Sequence, residues 1–142
     1  FVVVLGSNKT MFPLLRTARH LRPGRLVNHC SKSTSSTDYC VDLVKQKDFE
    51  NYLCGLLVPS DAKAAYFAVR AFNVELATVR DQTNGNAMAG RIRFQWWRDV
   101  MENIYEGNGE MASQQPVATA LREHIMSKSL SRHWFDRSID AR

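Results

Sequence analysis

The stretch ELATVRDQTNGNAMAGRIRFQWWRD, residues 75–99, holds two helical patterns on either side of an Asn84-Gly85 turn signal, with Trp96 and Trp97 side by side on the second. At about 100° per residue, Ile92, Phe94, Trp96, Trp97, Val100, Met101 and Ile104 fall on one broad face, and Arg91, Gln95, Arg98, Asp99 and Glu102 on the other. A large aromatic stripe at helical spacing usually packs, so the tryptophans are core candidates before they are ligand-binding ones. Arg93 is the exception. Its direction lies within the apolar face, and a buried guanidinium needs a partner. Asp81 and Glu75, on the preceding helix, are the nearest acids in sequence.

Outward from this hairpin the helical pattern continues. The segment DYCVDLVKQKDFENYLCGLL, residues 38–57, places Val41, Val44, Phe49, Leu53 and Leu56 on one imperfect stripe that ends at Pro59. Ser60 reads as an N-cap with Asp61 at the positive helix end, and Ala65, Val69, Phe72, Leu76 and Val79 form the next stripe. A helix over 87–106 closes at Gly107, Pro116 opens another through about Met126, and a last one begins around Ser131. Nothing reads as strand alternation, so the class is all-α. A second side of the long helix carries Tyr66, Arg70, Asn73, Ala77 and Asp81 at spacings of four, three, four and four. Such a row is either solvated surface or the wall of a cavity between helices.

Charge divides the chain. The formal net charge is +5, yet no acid precedes Asp38, while Lys9, Arg16, Arg19, Arg22, Arg25 and Lys32 do. Of 19 Lys and Arg, those six leave 13 against 14 Asp and Glu over residues 38–142, a net of −1. The folded part lacks the basic footprint that phosphate backbones require, which excludes a nucleic-acid partner. The leader, residues 1–37, is Arg-rich, Ser/Thr-rich and acid-free, and from Pro13 it has an amphipathic pattern, as a mitochondrial presequence does; a basic tail for an acidic partner is the alternative. Residue 1 is Phe, so the start site is either Met11, with residues 1–10 upstream of it, or a residue before the given sequence. No run approaches the ~18 apolar residues of a membrane span. Cys30, Cys40 and Cys54 lack C-x-x-C spacing, which argues against a disulfide framework or a structural zinc site.

The segment YLCGLLVPSDAKAAYFAVRAFNVELATVRD followed by GRIRFQWWRDVMENIYEG resembles the squalene and phytoene synthase family, in particular its mitochondrial branch. The likeness runs from Tyr39 to about Tyr105 and on through WFDRSIDAR, with the Leu57-Val58-Pro59 break, AFNVELA and RFQWWRD in order. It implies the N-terminal part of an isoprenoid synthase-like helical fold over residues 38–142. Enzymes of this family join two prenyl diphosphates, with magnesium held by two Asp-rich motifs. The first motif, D-D-x-x-D in the enzymes, falls on Ala77, Thr78, Val79, Arg80 and Asp81, where only the last aspartate remains. Arg70 and Arg80 add positive charge where a cation would sit. The second motif would lie beyond Arg142.

The resemblance therefore implies a non-catalytic protein, without cofactor or metal, acting in the assembly of mitochondrial respiratory complex I at the matrix side of the inner membrane. Its partners would be complex I subunits or assembly intermediates, with peripheral membrane association. A vestigial pocket of Tyr66, Arg70, Asn73, Ala77, Asp81 and Arg93 would remain, open to a lipid. The alternatives are a prenyl diphosphate transferase with residual activity and a mitochondrial helical lipid- or protein-binding module. Two structural expectations follow. Arg93 pairs with Asp81, with Glu75 as rival, and closes the space of the lost metal site. As an N-terminal fragment or truncated form of a longer fold, the chain leaves Phe72, Trp96 and Val100 exposed and packs loosely.

Overall fold

The computed structural model describes residues 35–107, 112 and 115–142. Six helices follow in order: α1 (Ser36–Lys47), α2 (Phe49–Leu56), α3 (Ser60–Gln82), α4 (Ala87–Glu106), α5 (Pro116–Lys128) and α6 (Arg132–Asp140). Among the described residues there is no strand. α1 begins two residues before the expected boundary at Asp38, and the presequence-like reading of the leader lies outside the described residues apart from that edge.

α3 is the spine, ~35 Å long at 1.5 Å per residue. α1, α2, α4 and α5 pack on it, and α6 packs on α4. Ser60 is its first helical residue rather than its cap; Pro59 takes the cap position at φ −52°, a value its ring fixes. The helix ends where Asn84 (φ 50°) and Gly85 (φ 75°) enter the left-handed region. Asn86 then starts α4, its side-chain oxygen accepting from the Met88 and Ala89 N–H groups at 3.0 and 3.2 Å. α3 and α4 are thus antiparallel, with Val79 near Gly90, Glu75 at Arg93 and Phe72 against Trp97.

The expected single helix over 38–57 is two. Asp48 (φ −143°, ψ 62°) interrupts it, and its N–H closes α1 on the Val44 carbonyl at 2.8 Å. The break resets the helical face: Cys40 and Val44 are buried, whereas Phe49, Leu53 and Leu56 are 56%, 47% and 50% exposed. α2 instead turns Gly55 inward, where Phe67 and Tyr66 approach so closely that an added Cβ would lie 2.5–2.9 Å from their ring atoms.

The core is closed at the positions expected to be open. Phe72 and Val100 are 1% and 0% exposed, and Trp96 is half-buried. Phe72 meets Trp97 edge-on at 5.1 Å and Phe135 of α6 at 5.5 Å, so α6 covers the face that α3 and α4 leave between them. α5 lies along α3 and α1 and buries Val117, Leu121 and Ile125 in the same cluster. Its start is fixed by Pro116 in the first turn and by the Gln115 side chain accepting from the Ala118 N–H at 2.7 Å.

Candidate functional site

The polar row on α3 lies opposite the face that buries Ala71, Glu75 and Val79, and its members do not converge on one cavity. Tyr66 Oη donates to the Asn51 carbonyl at 3.0 Å, and Arg70 Nη2 lies 2.7 Å from Asp48 Oδ2. Asn51 Nδ2 donates to the other Asp48 oxygen at 2.8 Å. The Asn51 hydrogen bond first, and the Arg70 guanidinium after it, hold the Asp48 carboxyl below its ordinary value, against the opposing pull of partial burial. Tyr66 and Arg70 therefore latch α2 and the α1–α2 junction onto α3. Asn73 lines a separate cleft of about 160 Å³ beside Leu130, Trp134 and Phe135. Ala77 lies on the wall of a larger groove, and Asp81 is exposed with no ion pair among the described residues.

Arg93 pairs with Glu75, not Asp81. Nη2 lies 3.5 Å from Glu75 Oε2, with the Glu75 side chain 7% and that of Arg93 37% exposed. The reason is register. In an antiparallel hairpin, residues equally distant from the turn face each other, so Arg93 lies level with residues 75–77 while Asp81 lies level with Met88. Six residues along an α-helix also rotate Asp81 by ~120° away from Glu75. The guanidinium stands 5.0 Å over the ring of Trp96, which is half-buried, while Trp97, about 100° further round the helix, is in the core. Burial first, then the Glu75 charge, pushes the Cys40 thiol up to about 12 and also raises Tyr39. Glu75 is thus a buried acidic side chain on α3 that meets Arg93 of α4 and lies near Tyr39 and Cys40 of α1.

The feature that periodicity did not reveal is an open groove of about 900 Å³ between α3, α4 and α6. Leu76, Val79, Gly90, Phe94 and Ile139 contribute its apolar floor, and Arg80, Arg91 and Arg98 stand along it. Arg98 is held by Asp140 of α6 at 2.8 Å. Ile92, assigned to the packed face by helical periodicity, is 64% exposed and lines the groove instead. This arrangement can bind; it presents guanidinium groups beside apolar surface. Among the described residues, no group of three His, Cys, Asp or Glu side chains is placed to hold a metal ion, and no helix is long and apolar enough to cross a membrane.

Comparison with known proteins agrees with this all-helical architecture. The family described as squalene/phytoene synthase matches residues 44–142. The Bos taurus protein named NADH dehydrogenase (ubiquinone) complex I, assembly factor 6, is 38% identical over 109 residues, covering 76% of this chain and 32% of that protein. The Homo sapiens protein of the same name is 38% identical over 104 residues, 73% of this chain and 30% of its own. The Drosophila melanogaster homolog is 30% identical over 118 residues, 82% of this chain and 35% of its own. The chain thus spans about a third of the length of these curated relatives. No solved structure matches it. With the family match covering residues 44–142, most of the chain, the chain belongs to the squalene/phytoene synthase family.

Proposed function

We propose that this protein acts in the assembly of mitochondrial respiratory complex I as a non-catalytic member of its family, on the matrix side of the inner membrane. The observation that carries the reading is the 38% identity, over about three quarters of the chain, to proteins named as complex I assembly factors. The acid-free, Arg-rich leader supports mitochondrial import. Subunits or assembly intermediates of complex I are the partners, and membrane association is peripheral.

The residues at the first Asp-rich motif support the non-catalytic part. Ala77 and Thr78 supply no carboxylate, and Asp81 points to solvent alone, one residue from Arg80. A magnesium ion needs several hard oxygen ligands around it. This set offers one carboxylate beside a guanidinium and does not fit the ion. Of the remaining polar residues of the row, Tyr66 and Arg70 hold helices together and Asn73 lines a separate cleft, and the groove gives a lipid or a protein segment somewhere to lie. Residual prenyl transfer is the second reading, favoured only by the retained Asp81. Two measurements test the proposal. Cells without the protein should lose complex I while the other respiratory complexes stay normal, and purified full-length protein with magnesium should consume neither farnesyl nor geranylgeranyl diphosphate. Turnover of either diphosphate would assign the protein to the synthases.

A further inference from the structure

We infer that Asn84 is a site of spontaneous deamidation whose rate is set by the last turn of α3. The inference stands apart from the assembly reading and needs no partner, because both reacting atoms belong to adjacent residues of the α3–α4 turn. Of the described asparagines, Asn51, Asn73, Asn84, Asn86 and Asn103, only Asn84 precedes a glycine. Its side chain is exposed and makes no hydrogen bond among the described residues. Asn51 is engaged by Asp48, Asn86 by the first N–H groups of α4 and Asn103 by the Asp99 carbonyl. Beyond Asn84 the main chain is bare: a Cβ on Gly85 would meet nothing within 4 Å, so no side chain shields the Gly85 nitrogen.

That nitrogen, on losing its proton, attacks Cγ of Asn84. The new N–Cγ bond closes a succinimide ring, the Cγ–Nδ2 bond breaks, and the amide nitrogen leaves with the proton as ammonia. Water then opens the ring at Cγ to give aspartate, or at the backbone carbonyl to give isoaspartate, so one water enters for each ammonia lost. The fold holds this reaction back. Gly85 N–H donates to the Arg80 carbonyl at 3.0 Å and Asn84 N–H to the Asp81 carbonyl at 3.2 Å, the paired bonds that close a helix on a left-handed residue, here Asn84 at φ 50°. While the first bond is made, the nitrogen is not free to give up its proton or to turn toward Cγ. Attack therefore waits for the last turn of α3 to fray, and helix ends are among the cheapest places for a fold to open. The products undo the closure. Either acid puts a carboxylate at the negative end of α3, and isoaspartate adds a methylene to the main chain within the turn that sets the register of Glu75 and Arg93.

The test incubates the full-length protein at neutral pH and physiological temperature and maps it with trypsin, whose peptide 81–91 separates this site from Asn108-Gly109. Electron-transfer fragmentation assigns the converted residue and distinguishes the two acids. The expected result is conversion at Asn84, with isoaspartate in excess, about tenfold slower than in the free peptide 81–91 because the turn must open first. Gln82→Gly weakens that turn at an exposed position and should speed the protein about fivefold, with no change in the matching free peptide. Should circular dichroism show a wider loss of helix in that variant, urea below the unfolding midpoint frays the same turn of the wild-type chain and should speed conversion likewise. Asn84→Gly suits the left-handed position and should abolish conversion in this peptide. Asn84 left intact in the protein after the free peptide has been converted would overturn the inference, as would conversion at Asn86 in its place. A rate equal to that of the free peptide, or indifferent to both Gln82→Gly and urea, would overturn the role of the last turn.

Discussion

Arg93 and Glu75 face each other across the α3–α4 hairpin, 3.5 Å apart, the carboxylate almost fully enclosed and the guanidinium reaching it over the Trp96 ring. Arg93→Met leaves that carboxylate enclosed without its cation and should cost ~1–3 kcal/mol of stability. Adding Glu75→Leu removes both charges and should recover much of the loss. Urea midpoints at constant slope measure both effects.

Asp81 gives the contrasting case. It is exposed and has no ion pair among the described residues, so Asp81→Asn should change stability by no more than ~0.5 kcal/mol. A loss of several kcal/mol would place the carboxylate in a buried pair after all.

The helix–turn–helix over residues 60–106 was legible because periodicity, Pro59, Asn84-Gly85 and Gly107 all point to the same boundaries. The partner of Arg93 is legible from hairpin register: depth from the turn selects Glu75, whereas Asp81, the retained motif residue, lies level with Met88. The break at Asp48 was not, because Val41, Val44, Phe49, Leu53 and Leu56 simulate one continuous stripe and only tertiary contacts with Arg70 and Tyr66 show where α2 turns. Nor was the groove legible. Helical spacing says that Ile92 belongs to an apolar face, but not which part of that face another helix covers.

Gly55 is the closest contact between α2 and α3. Gly55→Ala would drive a methyl into Phe67 and Tyr66, at 2.5–2.9 Å, and should destabilise by ~1–3 kcal/mol. A change in tyrosine near-ultraviolet dichroism, as Tyr66 is displaced from Asn51, would accompany the lower melting temperature.

The alkaline limb of stability should report Cys40. In the unfolded chain its thiol loses a proton from its ordinary value of 9.0, but in the fold only at about 12. Between those values the unfolded state binds fewer protons, so stability falls as pH rises, by up to ~1.4 kcal/mol per pH unit for one proton. Cys40→Ala should flatten this slope without abolishing it, since Tyr39 and Tyr105 are raised as well, each by burial first. Native protein should meanwhile react with iodoacetamide at exposed Cys54 and not at Cys40.

On the acid side the sign reverses for Asp48. Its lowered value means that its contribution is present above the ordinary 3.8 and is lost as pH falls through the folded value. Asp48→Asn should make stability less steep below about pH 4 and loosen α2 first, as amide hydrogen exchange over residues 49–56 would show.

The decisive measurement is the amount of assembled complex I, read on native gels, in cells lacking the protein and in the same cells re-expressing it. Assembly in mitochondria without prenyl transfer predicts a selective loss of complex I that the wild-type protein reverses and that Asp81→Asn reverses equally well. Normal complex I in the deleted cells, or rescue that depends on the Asp81 carboxylate, would contradict it.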